Sequence, residues 1–200
     1  MGPRLRIASV LVLIAVCPAA AQRALTLDDI YDPDRRVNFS GSLPSGLLWM
    51  DDERYLEPRE ASGGVEWSIV NAADGVASPL FDATRMEQAI LRLDGVSGQD
   101  ARGAARSRNL SFDASFTLVL FTIASDLYVY DRDDDRALRL TRADGTEDVA
   151  MLSPDGEWVA FVRDNDLYVA DTARGFERRL TDDGGTKILN GVLDWVYEEE

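Results

Sequence analysis

The chain repeats itself at an interval of forty residues, and this interval limits its possible folds more than any other feature. The segment DLYVYD at 126–131 recurs as DLYVAD at 166–171, and RLT at 139–141 recurs as RLT at 179–181. Each copy then reaches an Asp-Gly turn signal. A fold built from one small unit, used several times along the chain, is therefore expected.

Each unit is rich in short β-type stretches. In the later copy, EWVAFVRD at 157–164, NDLYVAD at 165–171 and FERRLT at 176–181 predict three strands after a tight turn, SPDG at 153–156. FTLVLFTIA at 116–124 takes the place of the first strand in the earlier copy. Units of this length with about four antiparallel strands are typical of β-propeller blades, because one such sheet cannot bury both faces alone.

We therefore expect an all-β fold, a partial β-propeller. Two weaker strands, GLLWMDDERYLE at 46–57 and GVEWSIVNAADG at 63–75, extend the pattern toward the N-terminus. The chain beyond residue 21 has room for about four blades, so either a small ring closes or the chain is part of a larger propeller. A β-sandwich of hairpins is the alternative, but it does not predict a constant forty-residue interval.

One stretch, TRMEQAILRL at 84–93, departs from the β pattern and predicts a short helix between blades. Thr84 and Glu87 have the spacing of a capping box. Its apolar residues share one helical face, as their spacing requires: Met86, Ile90 and Leu93. A Gly/Arg/Ser-rich loop is expected to follow at 95–108.

The N-terminal segment predicts export. MGPRLRIASVLVLIAVCPAAAQ contains two arginines, an apolar run at 7–16 and an Ala-Ala-Ala stretch, the order found in secretory signal peptides. We expect cleavage after Ala21, a periplasmic or extracellular location, and no membrane span in the mature chain, because the apolar run is too short. Lipid attachment at Cys17 is the less favoured alternative, since Val16 before it is bulky.

Composition excludes several classes of function. The formal net charge of −15 argues against nucleic acid as a partner. The chain contains no histidine, which excludes a histidine-based catalytic triad and most zinc sites within it. It also lacks a G-x-S-x-G nucleophile motif and a Gly-rich phosphate loop. We expect no catalytic residue and no cofactor within these 200 residues.

Acidic clusters raise the question of a metal site. DRDDD at 131–135 has the alternating carboxylates of a calcium loop, but Arg136 stands where glycine is needed and Arg142 where a bidentate Glu is needed. We therefore interpret it as a solvated hairpin tip and expect no metal site. MDDER at 50–54 and TDDGG at 181–185 are interpreted in the same way.

A last acidic cluster, Glu198, Glu199 and Glu200, follows Trp195 and Tyr197 with no basic residue nearby in sequence. Adjacent carboxylates repel one another, so a cation should compensate them. Two of them can converge only outside a regular strand, which predicts a short helical excursion at the C-terminal end. Such a pair suits a primary ammonium, which has three donors and one charge. A salt bridge to an arginine elsewhere in the fold is an equally open alternative.

LNGVLDWVYEEE at 189–200 resembles the segment of dipeptidyl peptidase IV-type enzymes, within the prolyl oligopeptidase group, in which D-W-V-Y-x-E-E carries the substrate-anchoring glutamates. SPDGEWVAFVRDNDLYV at 153–169 and RLTDDG at 179–184 resemble the blades that precede it. The resemblance begins near Leu25 and is strongest from Leu152 onward.

The resemblance implies a signal or anchor sequence, an eight-bladed propeller and a C-terminal α/β-hydrolase domain whose Ser-Asp-His triad releases dipeptides from free N-termini. On that basis residues 1–21 are the signal peptide and 22–200 the truncated N-terminal part of the propeller domain, with the hydrolase domain absent. Glu199 and Glu200 correspond to the family's glutamates and would bind the substrate's ammonium. Supporting roles would fall to three neighbours: Glu198, Trp195 and Tyr197.

The implied partners are peptides with free N-termini and the hydrolase domain of the same chain, and a homodimer stays open. One departure concerns an arginine, often in a Trp-Arg pair, that helps the family hold the substrate's carbonyl. LVLFTIASDLYVYD at 118–131 contains neither residue. Two alternatives to an active peptidase therefore remain: a non-catalytic periplasmic propeller that binds proteins, and an inactive family member.

Overall fold

The computed structural model describes residues 26–32, 34 and 46–192. The chain divides into two units, Met1–Leu43 and Pro44–Glu200. In the first, the described residues form helix α1 (Leu27–Tyr31), which begins with a capping box between Thr26 and Asp29. The predicted signal peptide at 1–21 and the predicted helical excursion at the C-terminal end lie outside the described residues.

The strands of the second unit form three four-stranded antiparallel sheets, each with its strands in chain order. The first sheet consists of β1 (Leu48–Trp49), β2 (Arg54–Ala61), β3 (Gly64–Asn71) and β4 (Ala77–Pro79). The second consists of β5 (Ser111–Phe112), β6 (Leu118–Ile123), β7 (Asp126–Asp131) and β8 (Arg136–Arg139). The third consists of β9 (Asp148–Leu152), β10 (Trp158–Arg163), β11 (Asp166–Asp171) and β12 (Glu177–Arg179). The all-β prediction, with four-stranded antiparallel units, is confirmed.

The forty-residue interval reappears in the strand register. Phe121 pairs with Tyr128 across β6 and β7, and Phe161 pairs with Tyr168 across β10 and β11. Both ring pairs stack, with centroids 5.6 and 5.5 Å apart. Each hairpin closes through two residues of positive φ, as a type I′ turn requires: Ala124, Ser125, Asp164 and Asn165.

The predicted helix is present as α2 (Ala83–Ile90), with Met86 and Ile90 fully buried. The predicted cap at Thr84 is wrong. Asp82 begins the helix, and its carboxylate accepts hydrogen bonds from the backbone N–H groups of Thr84 and Arg85. Asp is a stronger N-cap residue than Thr. Because the cap lies two residues before Thr84, the Glu87 side chain is not used in a capping box and instead pairs with Arg102 and Arg106.

The prediction of a loop at 95–108 is also wrong, because Gly98–Ala105 form a further helix, α3. Ser97 caps it by accepting from the Asp100 N–H. Three alanines, spaced so that they share one face, lie against the core: Ala101, Ala104 and Ala105. The small side chains let the helix approach closely, whereas the Gly, Arg and Ser content of the stretch suggested a loop. No helix among the described residues is long and apolar enough to cross a membrane.

Two apolar clusters cover the two faces of the second sheet. One face, with Val119 and Phe121, packs against the first sheet and both helices. The opposite face, with Leu120 and Val129, packs against Phe161 of the third sheet. The sheets therefore bury their apolar surfaces against one another, which is the packing that a repeated four-stranded unit needs.

Truncation of Phe161, which has no exposed surface, should destabilise the protein strongly. We expect Phe161→Ala to lower the free energy of unfolding by about 3–5 kcal/mol, because the change removes buried apolar surface and leaves a cavity. Phe176→Ala is the matched control, since that ring is 68% exposed, and should cost at most ~0.5 kcal/mol. Urea-induced unfolding followed by circular dichroism measures both; equal losses would contradict the packing of the two sheets.

Candidate functional site

Segment 182–192 leads from the third sheet toward the predicted ammonium-binding residues. The structure does not describe the residues of that prediction, so their positions stay a prediction: Glu199, Glu200, Glu198, Trp195 and Tyr197. It does describe how the chain before them is held. The described part of the site is therefore the contact between segment 182–192 and the β10–β11 hairpin.

A buried carboxylate, that of Asp166 at the start of β11, is the centre of this contact. Its Oδ1 accepts hydrogen bonds from Thr181 Oγ1 at 2.8 Å, from the Gly184 N–H at 3.0 Å and from Asn190 Nδ2 at 3.2 Å. Its Oδ2 accepts from the guanidinium of Arg179. The interpretation of 181–185 as a solvated hairpin tip is therefore wrong, because two of its members bind this buried group.

Asn190 closes the segment on the hairpin. Its side-chain amide also donates to Asp183 Oδ1 at 3.0 Å, and its backbone N–H donates to the Asn165 carbonyl at 3.0 Å. Within the segment, the Gly185 N–H donates to the Ile188 carbonyl at 2.9 Å. Three hydrogen bonds from one residue therefore fix both the place and the orientation of the chain at Asn190.

Two glycines allow the backbone of the segment to lie directly on the hairpin. A Cβ atom at Gly184 would stand 2.4 Å from the Asn165 carbonyl oxygen. At Gly191, where φ is +77°, it would stand 2.8 Å from Val162 Cγ2. Both distances are shorter than atoms tolerate, so this approach requires glycine at both positions.

The electrostatics of Asp166 favour its charged form. Burial alone would raise the pKa of this carboxyl, but hydrogen bonds from Thr181, Arg179 and the Gly184 N–H outweigh burial and hold the pKa below its ordinary value. The carboxylate is thus a fixed negative charge compensated by Arg179. Its oxygens are engaged within the fold.

The second sheet contains equivalent contacts among an Asp, an Arg and a Thr. Among the described residues, no segment like 182–192 joins them there. Arg139 binds Asp126, and Thr141 Oγ1 accepts from the Leu127 N–H at 2.8 Å, as Thr181 does from Leu167 at 2.9 Å. The repeated RLT segments thus supply the Arg and Thr that bind the Asp of the repeated DLYV segments. Sequence reading found both repeats but not their contact; the constant spacing of Asp, Arg and Thr in both copies was the available signal.

Comparison with known proteins finds a family match for this part of the chain. Residues 117–200, which include the segment and the whole of DWVYEEE, match the family model for the "Dipeptidyl peptidase IV (DPP IV) N-terminal region". Over these residues the chain is similar to a dipeptidyl peptidase IV-type N-terminal domain.

Curated relatives of this domain include probable dipeptidyl peptidase 4 of Aspergillus flavus, 46% identical over 77 residues. That match covers 38% of this chain and 10% of the relative. Probable dipeptidyl-aminopeptidase B of Chaetomium globosum is 48% identical over 52 residues, which cover 26% of this chain and 6% of the relative. The chain therefore matches only a small part of the length of these relatives.

Solved structures agree with the fold. Porphyromonas gingivalis dipeptidyl peptidase 4 has a TM-score of 0.58 and 25% identity, over 90% of this chain and 25% of that one. A putative dipeptidyl aminopeptidase IV from Bacteroides ovatus has a TM-score of 0.50 and 17% identity, over 71% of this chain and 18% of that one, and supports the fold alone. The predicted partial β-propeller is confirmed, and the three sheets are its blades.

A second polar group of the third blade, centred on Arg163, lies at the end of β10, directly before the β10–β11 turn. Its guanidinium binds Glu147 Oε1 at 2.7 Å and Glu177 Oε2 at 2.8 Å. It also lies 5.1 and 5.0 Å from the ring centroids of Phe161 and Tyr168. Sequence reasoning missed this group because Glu147 and Glu177 are distant in sequence and Arg163 has no counterpart in the previous blade.

Arg163 does not replace the arginine that segment 118–131 lacks. Its side chain is 6% exposed and bound to two carboxylates, so it is not available to a substrate. Its pKa is raised, because the bridges to Glu177 and Glu147 outweigh burial. Burial raises the pKa of Glu147 despite the bridge, and Glu147 Oε2 accepts no hydrogen bond from any described residue.

The acidic cluster at 131–135 closes its own turn and also contacts helix α2. Asp131 Oδ1 accepts from the N–H groups of Asp133 and Asp134, and Asp135 accepts from the Tyr130 hydroxyl at 2.6 Å and from Arg85 at 3.0 Å. These residues close the β7–β8 turn, as the hairpin-tip interpretation predicts. Among residues the structure describes, no group of three or more ligand-type side chains could hold a metal ion.

Replacement of Arg163 by methionine should leave Glu147 and Glu177 uncompensated. We expect Arg163→Met to lower the free energy of unfolding by about 3–5 kcal/mol at pH 7. Part of this loss should be regained at pH 5, because an unpaired buried Glu147 has a folded-state pKa above its unfolded value of about 4.3, so the folded protein binds more protons as pH falls.

Urea titrations at both pH values, with wild type measured alongside, test this effect. Arg178→Met is the matched control on the same strand as Glu177, because Arg178 is exposed. It should change the free energy of unfolding by at most ~0.5 kcal/mol at either pH. If Arg163→Met differs from wild type by the same amount at both pH values, Glu147 is not the group left uncompensated.

Proposed function

We propose that this chain is the N-terminal propeller part of an exported serine-type dipeptidyl peptidase, and that Glu199 and Glu200 bind the substrate's free N-terminal ammonium. The observation that carries the proposal is the family match over residues 117–200, which extends through both glutamates. Curated relatives named dipeptidyl peptidase or dipeptidyl-aminopeptidase support a peptidase that acts at N-termini.

The chemistry of the pair fits an ammonium. Each carboxylate accepts charge-assisted hydrogen bonds, and an ammonium offers three donors and one positive charge to share between them. Binding the N-terminus at a fixed point also sets how many residues separate it from the bond to be cleaved. Release of dipeptides then follows from geometry, with Trp195, Tyr197 and Glu198 as supporting residues.

Bond cleavage requires groups from outside this chain. The sequence has no histidine, so it cannot supply a Ser-Asp-His triad, which the resemblance to dipeptidyl peptidase IV-type enzymes assigns to a C-terminal α/β-hydrolase domain. Apolar side chains stay exposed on the face of the third blade opposite Phe161, as expected where a further blade packs: Met151, Trp158 and Leu180. Their exposure supports a larger propeller that continues beyond the described residues.

One observation favours a second candidate, a non-catalytic or inactive propeller. Strand β6 is joined to β7 by the two-residue turn at Ala124 and Ser125, and neither the strand nor the turn carries an Arg or Trp. The resemblance places the carbonyl-binding arginine in this region. A protein without it would hold the substrate backbone less firmly.

The full-length protein should release dipeptides from Xaa-Pro or Xaa-Ala chromogenic substrates with a free N-terminus and not from their N-acetylated forms. Glu199→Ala and Glu200→Ala should each lower kcat/KM by over ~100-fold, because each removes a charge-assisted contact worth about 3 kcal/mol. Glu157→Ala, on an exposed turn of the third blade, is the control and should leave kcat/KM unchanged.

Two outcomes would redirect the proposal. Equal turnover of acetylated and free substrates would contradict the role of the glutamates in ammonium binding. A folded full-length protein that cleaves neither substrate would instead favour the non-catalytic candidate.

Export should remove residues 1–21. N-terminal sequencing and the intact mass of the exported protein should show Gln22 as the first residue, because small residues at 19 and 21 form an A-x-A cleavage signal. Ala21→Arg should block this cleavage, and Cys17→Ser should leave it intact. A product that begins at a lipid-modified Cys17 would show lipoprotein anchoring instead.

A further inference from the structure

We propose that Asp166 and Asn190 are positioning residues for substrate binding: together they set the point from which the DWVYEEE segment leaves the third blade. This inference rests on the proposed function of Glu199 and Glu200. Neither Asp166 nor Asn190 is proposed to touch the substrate. They act by fixing the chain that carries the residues which do.

The comparison between blades separates this role from ordinary blade stability. In the second blade, Asp126 accepts hydrogen bonds from Arg139 and Thr141, and in the described part of the chain no donor comes from the following loop. In the third blade, the equivalent Asp166 accepts from Arg179 and Thr181 and also from two donors of segment 182–192. The two donors that both blades share close the blade, and the two additional donors in the third blade hold segment 182–192.

Asn190 links the Asp166 carboxylate to the chain that follows the third blade. Its Nδ2 group bridges Asp166 and Asp183, and its N–H binds the carbonyl of Asn165 in the hairpin turn. Gly191, next in the chain, lies so close to Val162 that no side chain fits between them. Side chain, backbone and packing therefore fix the same short stretch.

The need for such an anchor follows from distance. Glu199 is nine residues beyond Asn190, and a chain of that length can extend by up to about 30 Å. A displacement of about 1 Å at a binding group can cost on the order of 100-fold in rate. Hydrogen bonds to a buried, ionised carboxylate limit such a displacement at the point where the segment begins.

Four variants of the full-length protein test the role. Asn190→Ala removes the side-chain bonds of Asn190 to Asp166 and Asp183 and leaves the contacts of Asp166 with Arg179, Thr181 and the Gly184 N–H. Asn190→Asp keeps the shape but sets a carboxylate against Asp166 and Asp183. Asp166→Ala removes both sets of bonds, and Asp126→Ala is the matched control in the second blade.

KM and kcat are measured with a free Xaa-Pro substrate, well below the lowest melting temperature of the set. A serine-directed fluorophosphonate titrates the active fraction, so that kcat refers to active protein. We expect Asn190→Ala and Asp166→Ala to raise KM about tenfold or more with kcat within about twofold of wild type, and Asn190→Asp to raise KM further. Asp126→Ala should lower the melting temperature and leave KM unchanged.

The outcomes distinguish this inference from the proposed function. If all four variants keep the wild-type KM and lose only active fraction, Asp166 and Asn190 are structural and the inference is overturned, while the function stands wherever Glu199→Ala and Glu200→Ala still abolish activity. If wild type cleaves free and N-acetylated substrates equally, the proposed function fails and the inference with it. An Asp126→Ala variant that raises KM as much as Asp166→Ala also overturns the inference.

Discussion

An ion-paired carboxylate at the first residue of the third strand closes each of the two repeated blades, half-buried at Asp126 and buried at Asp166. Asp126 and Asp166 each bind an arginine and a threonine from the end of the same blade, thirteen and fifteen residues further along the chain. The contact links the third strand to the end of the fourth, beside the backbone hydrogen bonds that the Leu140 and Leu180 N–H groups donate to the Leu127 and Leu167 carbonyls. Because the same residues recur, the second and third blades close in the same way, and each turns the face with its stacked Phe and Tyr toward the preceding sheet.

Much of this architecture could be predicted from the sequence, because it depends on local patterns. The forty-residue interval predicted the sheets, and the short β-rich runs predicted strands β10 and β11, which pair as an antiparallel hairpin. Predictions failed where several local signals competed. Asp82 capped α2 in place of Thr84, and three buried alanines made a helix of a stretch whose Gly, Arg and Ser content indicated a loop. Short-range patterns do not reveal which of two adjacent polar residues caps a helix, or which small residues face a core.

The candidate site likewise has one part that could be predicted from the sequence and one part that could not. DWVYEEE could be found as a sequence string, since its chemistry and its family resemblance are both local. Its anchor could not, because Asn190 meets Asp166 across twenty-four residues and Arg163 meets Glu147 across sixteen. Gly184 was visible only as a turn residue, although both Gly184 and Gly191 are required by the close approach of another part of the chain. Contacts of this kind need the fold before they can be recognised.

The hydrogen-bonding capacity of the closing carboxylate has a consequence for how such a repeat can diversify. A carboxylate can accept about four hydrogen bonds, and closing a blade uses only those from one arginine and one threonine. The unused capacity lets a blade acquire an inserted loop through added backbone and amide donors, with strand register and core untouched. A repeated domain of this type can therefore hold an additional segment at one blade while the neighbouring copy keeps only the arginine and threonine contacts.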